Sequence, residues 1–181
     1  YHTRRKNLAL SSRNLKVESL FRKHYNKAKE IKMDEIIVKA VAEPGVNMPA
    51  YESSEAAGMD VRAHLKDKII INPGERALIP TGFRMQTPRG YECQVRPRSG
   101  LALNHGITVL NTPGTVDADS RAEIGVVLIN LSDKPFEVRS GDRIAQLVFK
   151  KCERVKWEMV RELDKTKREN GAFGASGLGG K

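Results

Sequence analysis

Residues 114–125, GTVDADSRAEIG, set two carboxylates two positions apart and follow them with a serine, an arginine and a glutamate. If residues 115–119 run extended, Asp117 and Asp119 project to one face, because side chains alternate along a strand. A carboxylate in that place can act as a general base toward water. A metal ion held by both aspartates is a second reading. Local turn chemistry by the two side chains is a third. Just ahead, Asn111, Thr112, Pro113 and Gly114 are turn formers, so residues 109–111 and 115–117 are predicted to pair as a hairpin. The exposed backbone of such a hairpin, with the Asn111 amide, suits a flat hydrogen-bonding ligand such as a nucleobase.

Four other stretches carry polar groups that need a purpose. In RPRSGLAL, Ser99 is predicted to cap a short helix whose turn runs from Leu101 to His105, with Gly106 as its stop. The free N–H groups of a helix start, with Arg98 and the Ser99 hydroxyl, suit a phosphate; a capped turn with a solvated arginine is the alternative. In SGDRIAQLVFK, Gln146 shares a strand face with Ile144 and Val148, so its amide must find a partner or border a cavity. Asp142 and Arg143 read as a plain turn ion pair. In AAGMDVRAH, Asp60 lies between Met59 and Val61, and is either paired internally or serves a cation-bearing site. Gly58 before it is read as a residue needing unusual backbone angles. In KRENGAFGASG, Phe173 has no core to join, and can close over a base while Arg168 and Ser176 reach phosphates.

The elements that must hold these groups are short. Apolar runs at 36–41, 57–63, 68–72, 76–86, 91–96, 107–110, 115–117, 124–131, 135–138, 143–150 and 153–158 are cut by Gly, Pro and Asn. That spacing predicts an all-β sandwich, barrel or jelly roll with one short helix. Residues 124–131, apolar at both alternating sets of positions, predict a strand buried on both faces.

Charge divides the chain. Its net charge is +10 at pH 7, yet residues 1–32 contain ten Lys/Arg against two Asp/Glu, so most of the basicity sits there. Residues 1–32 read as a basic arm, solvated or folded as an amphipathic helix over 14–31; their acid-poor start also resembles a transit peptide. Residues 33–163 read as the β-domain, and 164–181, rich in Gly and charge, as a mobile tail. Apart from Tyr1, the arm supplies only Phe21 and Tyr25 for stacking, which gives nucleic-acid recognition little support. Cys93 and Cys152 fit no metal spacing and read as reduced, packed thiols. No apolar run approaches the ~18 residues of a membrane span, so a soluble, cytoplasmic protein is expected, with organelle targeting by residues 1–32 left open.

Together the stretches AGMDV, RPRSGLA, NTPGTVDAD, SGDRIAQLVF and RENGAFGASG stand in the order and spacing of the five motifs of the trimeric dUTP pyrophosphatases, which residues 33–177 resemble. The resemblance implies a jelly-roll homotrimer that hydrolyses dUTP to dUMP and pyrophosphate with Mg²⁺. Each site would draw on three chains. Asp117 matches the carboxylate that activates the attacking water. Asn111 with the Gly114, Thr115 and Val116 backbone matches the uracil reader. Arg98, Ser99, Gly100 and Gln146 match phosphate contacts, and Asp60 a residue of the Mg²⁺ hydration shell. Arg168, Phe173, Gly174 and Ser176 match the closing tail.

The chain also departs from that pattern. Ser120 stands where the family usually has a tyrosine that stacks on the deoxyribose. Ala122, Glu169 and Ala172 replace glycines, and Ala175 a hydroxyl residue. These departures imply an active enzyme that is weakened or permissive toward the sugar. Two rivals remain. One is a dCTP deaminase-like enzyme of the same fold, with Glu123 as its nominal water-activating group. The other is a weakly catalytic module that senses nucleotides or binds nucleic acid.

Overall fold

Short alternating runs interrupted by Gly, Pro and Asn fold as strands. In the computed structural model, which describes residues 35–166, these are β1 (Lys39–Ala42), β2 (Ala50–Tyr51), β3 (Met59–Arg62), β4 (Ile69–Ile71), β5 (Arg76–Gln86), β6 (Tyr91–Arg96), β7 (Ile107–Val109), β8 (Gly114–Val116), β9 (Glu123–Asn130), β10 (Phe136–Val138) and β11 (Arg143–Lys151). One helix, α1 (Ser99–His105), lies between β6 and β7. The strands form a jelly roll of three sheets, with orders β1-β5-β9-β7, β10-β4 and β2-β3-β11-β6-β8. Every pairing is antiparallel.

The core lies between the two large sheets. Ile79, Val126, Leu128, Ile107 and Val109 face it from one side, and Val61, Cys93, Val95, Ala145 and Leu147 from the other. The helix predicted near residue 99 forms, and Gly106 ends it in the left-handed region at φ 63°, its N–H donating to the Ala102 and Leu101 carbonyls. Its start differs. Arg98, extended at φ −97° and ψ 130°, is the N-cap, and its carbonyl accepts the Ala102 N–H. Ser99 is the first helical residue and makes no capping bond.

Three other expectations are corrected. β9 is buried on one face only: Ile124, Val126, Leu128 and Asn130 point inward while Gly125, Val127 and Ile129 are less covered, because none of the described residues forms a layer on that side. Residues 153–158 join no ladder, leaving Trp157 84% exposed. The hairpin between 109–111 and 115–117 does not form: β7 pairs with β9 in one sheet and β8 with β6 in another. β2 was not legible in the apolar pattern, since Ala50 and Tyr51 are both exposed.

Cys93 and Cys152 are both free thiols, as expected. Burial, with a smaller contribution from the Glu92 charge, pushes the Cys93 thiol up to about 12, which keeps it protonated and inert. Among the described residues no helix is long and apolar enough to cross a membrane.

Candidate active site

Strand register decides which candidate residues meet. β11 lies between β3 and β6, with Gln146 opposite Asp60 on one side and Arg96 on the other. Directly opposed residues share a sheet face, so Asp60 and Gln146 stand beside the point where the chain leaves β6 for α1. Arg98 closes the group. Its Nε donates to Asp60 Oδ1 at 3.0 Å and its Nη1 to the Arg143 carbonyl at 3.3 Å. Arg143 donates from Nη1 to Asp60 Oδ2 at 3.3 Å and lies 3.7 Å from a Glu52 carboxylate oxygen.

Asp60 is therefore paired internally, one oxygen to each arginine, with its side chain only 16% exposed. A carboxylate so shielded needs that compensation. Arg143 belongs to this cluster rather than to Asp142, whose carboxylate accepts the Arg139 N–H at 2.7 Å. The Gln146 amide also finds its partner: Nε2 donates to the Pro97 carbonyl at 2.9 Å, which ties β11 to the residue just before Arg98.

Gly58 serves this arrangement through space, not through backbone angle. It is absent from the positive-φ glycines, and a Cβ on it would fall 2.3 Å from Gln146 Oε1. Ser99 and Gly100 stand exposed at the helix start, beside Arg98.

The second group sits elsewhere. Asn111 folds back over buried Gly114, where a Cβ would come within 3.1 Å of its Nδ2. β8 then runs along β6 with Gly114 opposite Val95, Thr115 opposite Gln94 and Val116 opposite Cys93. Asp117 follows, level with Glu92. Arg96, at the far end of β6, is four residues away along that strand, or ~13 Å at the rise of a strand. Within one chain, the aspartate and the arginine cluster do not meet.

β8 stops at Val116, so Asp117 and Asp119 do not share an extended face. Instead the chain turns, and the Ser120 N–H donates to the Asp117 carbonyl at 3.1 Å. Neither carboxylate has a hydrogen bond or ion pair within the described residues, so Asp119 does not hold the turn. Arg121 holds it, donating from Nη1 to the carbonyls of Ala118 at 2.8 Å and Ser120 at 2.6 Å.

Glu123, the deaminase candidate, has structural work. Its Oε1 accepts the N–H groups of Thr81 at 3.1 Å and Gly82 at 2.8 Å, where β5 bulges between Pro80 and Arg84. Proline cannot donate to the ladder, and Gly82 at φ 71° supplies the left-handed residue of the bulge. Proline and glycine two apart in a long apolar run were the sequence signal for it. Arg168, Phe173, Gly174 and Ser176 lie outside the described residues, as does the helix expected over 14–31.

Solved structures define the class by its fold. A mutant dUTPase of Staphylococcus bacteriophage 80alpha, solved with dUpNHpp, is similar with a TM-score of 0.71 at 21% identity, over 78% of this chain and 99% of that one. The family follows from sequence. The dUTPase family model matches residues 45–177. The deoxyuridine 5'-triphosphate nucleotidohydrolase of Fusobacterium nucleatum subsp. nucleatum is 49% identical over 145 residues, covering 80% of this chain and 99% of the relative. Its counterpart from Beijerinckia indica subsp. indica is 51% identical over 147 residues, covering 80% and 92%. The chain belongs to the dUTPase family.

Proposed function

We propose that the protein hydrolyses dUTP to dUMP and pyrophosphate, with Asp117 as general base. The observation that carries this reading is the cluster of Asp60, Arg98, Arg143 and Gln146 at the entrance of α1, a cationic, hydrogen-bonding seat of the kind a triphosphate needs. The names of the two bacterial relatives support the substrate.

In this mechanism the water oxygen attacks the α-phosphorus while its proton passes to the Asp117 carboxylate. The bond from the α-phosphorus to the oxygen bridging to the β-phosphate breaks, and pyrophosphate leaves. Arg98, Ser99, Gly100 and Gln146 hold the phosphates, and the arriving triphosphate competes with Asp60 for the Arg98 guanidinium. Asn111 and the backbone of Gly114, Thr115 and Val116 read the uracil. Residues 164–181, with Arg168, Phe173, Gly174 and Ser176, close the site; residues 1–32 form an arm outside the β-domain of 33–163.

Among the described residues no group of three His, Cys, Asp or Glu side chains is placed to hold a metal ion. In this proposal Mg²⁺ would arrive on the triphosphate and keep most of its water, with Asp60 as the nearby carboxylate. When bound, the ion would neutralise phosphate charge.

The separation of Asp117 from Arg98 along β6 supports a site assembled from several chains, as in a homotrimer. So does the apolar outer face of β5 and β9, where Leu78, 64% exposed, lies opposite Val127. The decisive assay is pyrophosphate release from dUTP, UTP, dCTP and dTTP, with and without Mg²⁺. Turnover of dUTP well above the others supports the proposal, and ammonia release from dCTP would replace it with the deaminase reading.

Two variants probe the specificity and the seat. Ser120→Tyr adds a ring beside the sugar, worth about 1 kcal/mol, so the preference for dUTP over UTP is expected to rise roughly fivefold. Unchanged discrimination would refute a role for this position in sugar choice. Gly58→Ala drives a Cβ into Gln146 Oε1, the movable end of a side chain, so the fold should survive. Its KM for dUTP is expected to rise roughly tenfold with kcat little changed, from loss of a hydrogen bond to a charged group.

A further inference from the structure

The turn that carries Asp117 is lightly built. One backbone hydrogen bond closes it, from the Ser120 N–H to the Asp117 carbonyl. Asp117 and Asp119 are exposed, and neither carboxylate is tied to any described residue. The strand that leads in ends at Val116, and the strand that leads out begins at Glu123, whose carboxylate is bound to the β5 bulge. Between these two anchors, Arg121 turns back on the chain. Its Nη1 bridges the carbonyls of Ala118 and Ser120, both within 2.8 Å. Arginine on a surface normally extends toward water or an acid. This one spends its charge on two backbone carbonyls of the same turn, although it borders an open cleft of about 380 Å³ shared with Glu43, Arg84 and Glu123.

We propose that Arg121 is a positioning residue for the hydrolysis: its guanidinium locks the 117–120 turn and so aims the Asp117 carboxylate. This rests on the reading of Asp117 as the base. A carboxylate without hydrogen bonds of its own takes its direction from its backbone. Release of the turn therefore misplaces the base without altering the phosphate seat, which is built from other strands. The lock also includes Ser120, whose carbonyl it holds, so the position that departs from the family pattern is oriented by the same guanidinium.

The test uses the full chain with Arg121→Ala. A base misplaced by an ångström can cost up to ~10²-fold, so kcat is expected to fall by roughly tenfold or more, while affinity for a non-hydrolysable imido analogue of dUTP stays within about twofold. Arg121→Lys, which can still reach one carbonyl, should recover part of the loss. Free guanidinium ion, which the open cleft admits, should raise kcat of Arg121→Ala but not of Asp117→Asn. Turnover of Arg121→Ala within about twofold of native overturns the proposal. A parallel loss of kcat, analogue affinity and melting temperature, with no rescue, also overturns it, in favour of a purely structural arginine. If Arg121→Ala does not fold, Arg121→Met, which keeps the stem, takes its place, and failure of both to fold counts against the proposal. An active Asp117→Asn would instead overturn the underlying reading of Asp117; an inactive one beside a fully active Arg121→Ala overturns the positioning role alone.

Discussion

Asp117→Asn is expected to lower dUTP turnover by roughly 10²–10⁴-fold while leaving substrate binding nearly unchanged. The two side chains have the same shape, but the amide cannot take the proton from water. The Asp117 carboxylate makes no hydrogen bond or ion pair within the described residues, so its replacement leaves no partner unsatisfied and the melting temperature should not move. Single-turnover kinetics with dUTP, and equilibrium binding of the imido analogue, separate the two quantities. Near-native turnover would place the base elsewhere, and equal losses in turnover and binding would make Asp117 a ligand of the substrate.

Arg98→Ala is expected to have the second largest effect, lowering kcat/KM by roughly 10²-fold or more, because in the proposed mechanism its guanidinium contacts phosphate where charge develops. Here binding should weaken together with turnover, which distinguishes this variant from Asp117→Asn. The fold should hold: Asp60 keeps Arg143 as its counter-ion when Arg98 is gone. Arg98→Lys should restore only part of the activity, since an ammonium cannot reproduce the planar fork that serves Asp60 and the Arg143 carbonyl at once. Activity of Arg98→Ala within a few-fold of native would remove Arg98 from the phosphate seat.

The two variants test places that the sequence marked unequally well. Asp117 and Arg98 were legible as residue types beside turn signals, and so was Gly106 as the helix stop. The start of α1 was misread by one position, because serine is a good cap and arginine is not, yet the chain leaves its extended conformation only after Arg98. Local preference is worth about 1 kcal/mol at a cap, and the bond from Gln146 to the Pro97 carbonyl adds a constraint that no local pattern reveals. Gly58 was marked as special for the wrong reason. Its role depends on Gln146, 88 positions along the chain, filling the space where its Cβ would be.

What the sequence by itself determined is what neighbouring residues can settle. Alternating apolar runs cut by Gly, Pro and Asn specified an all-β protein, and five ordered motifs specified the dUTPase family. Tertiary structure alone decided which charges meet. Asp60 and Arg143 are 83 residues apart in the chain and 3.3 Å apart in space, through the pairing of β3 with β11. The same register sets Asp117, just past β8, at the opposite end of β6 from Arg96. Pairing register is a non-local property: a shift of one residue reverses every side chain on a strand, and only the packed core selects among the alternatives.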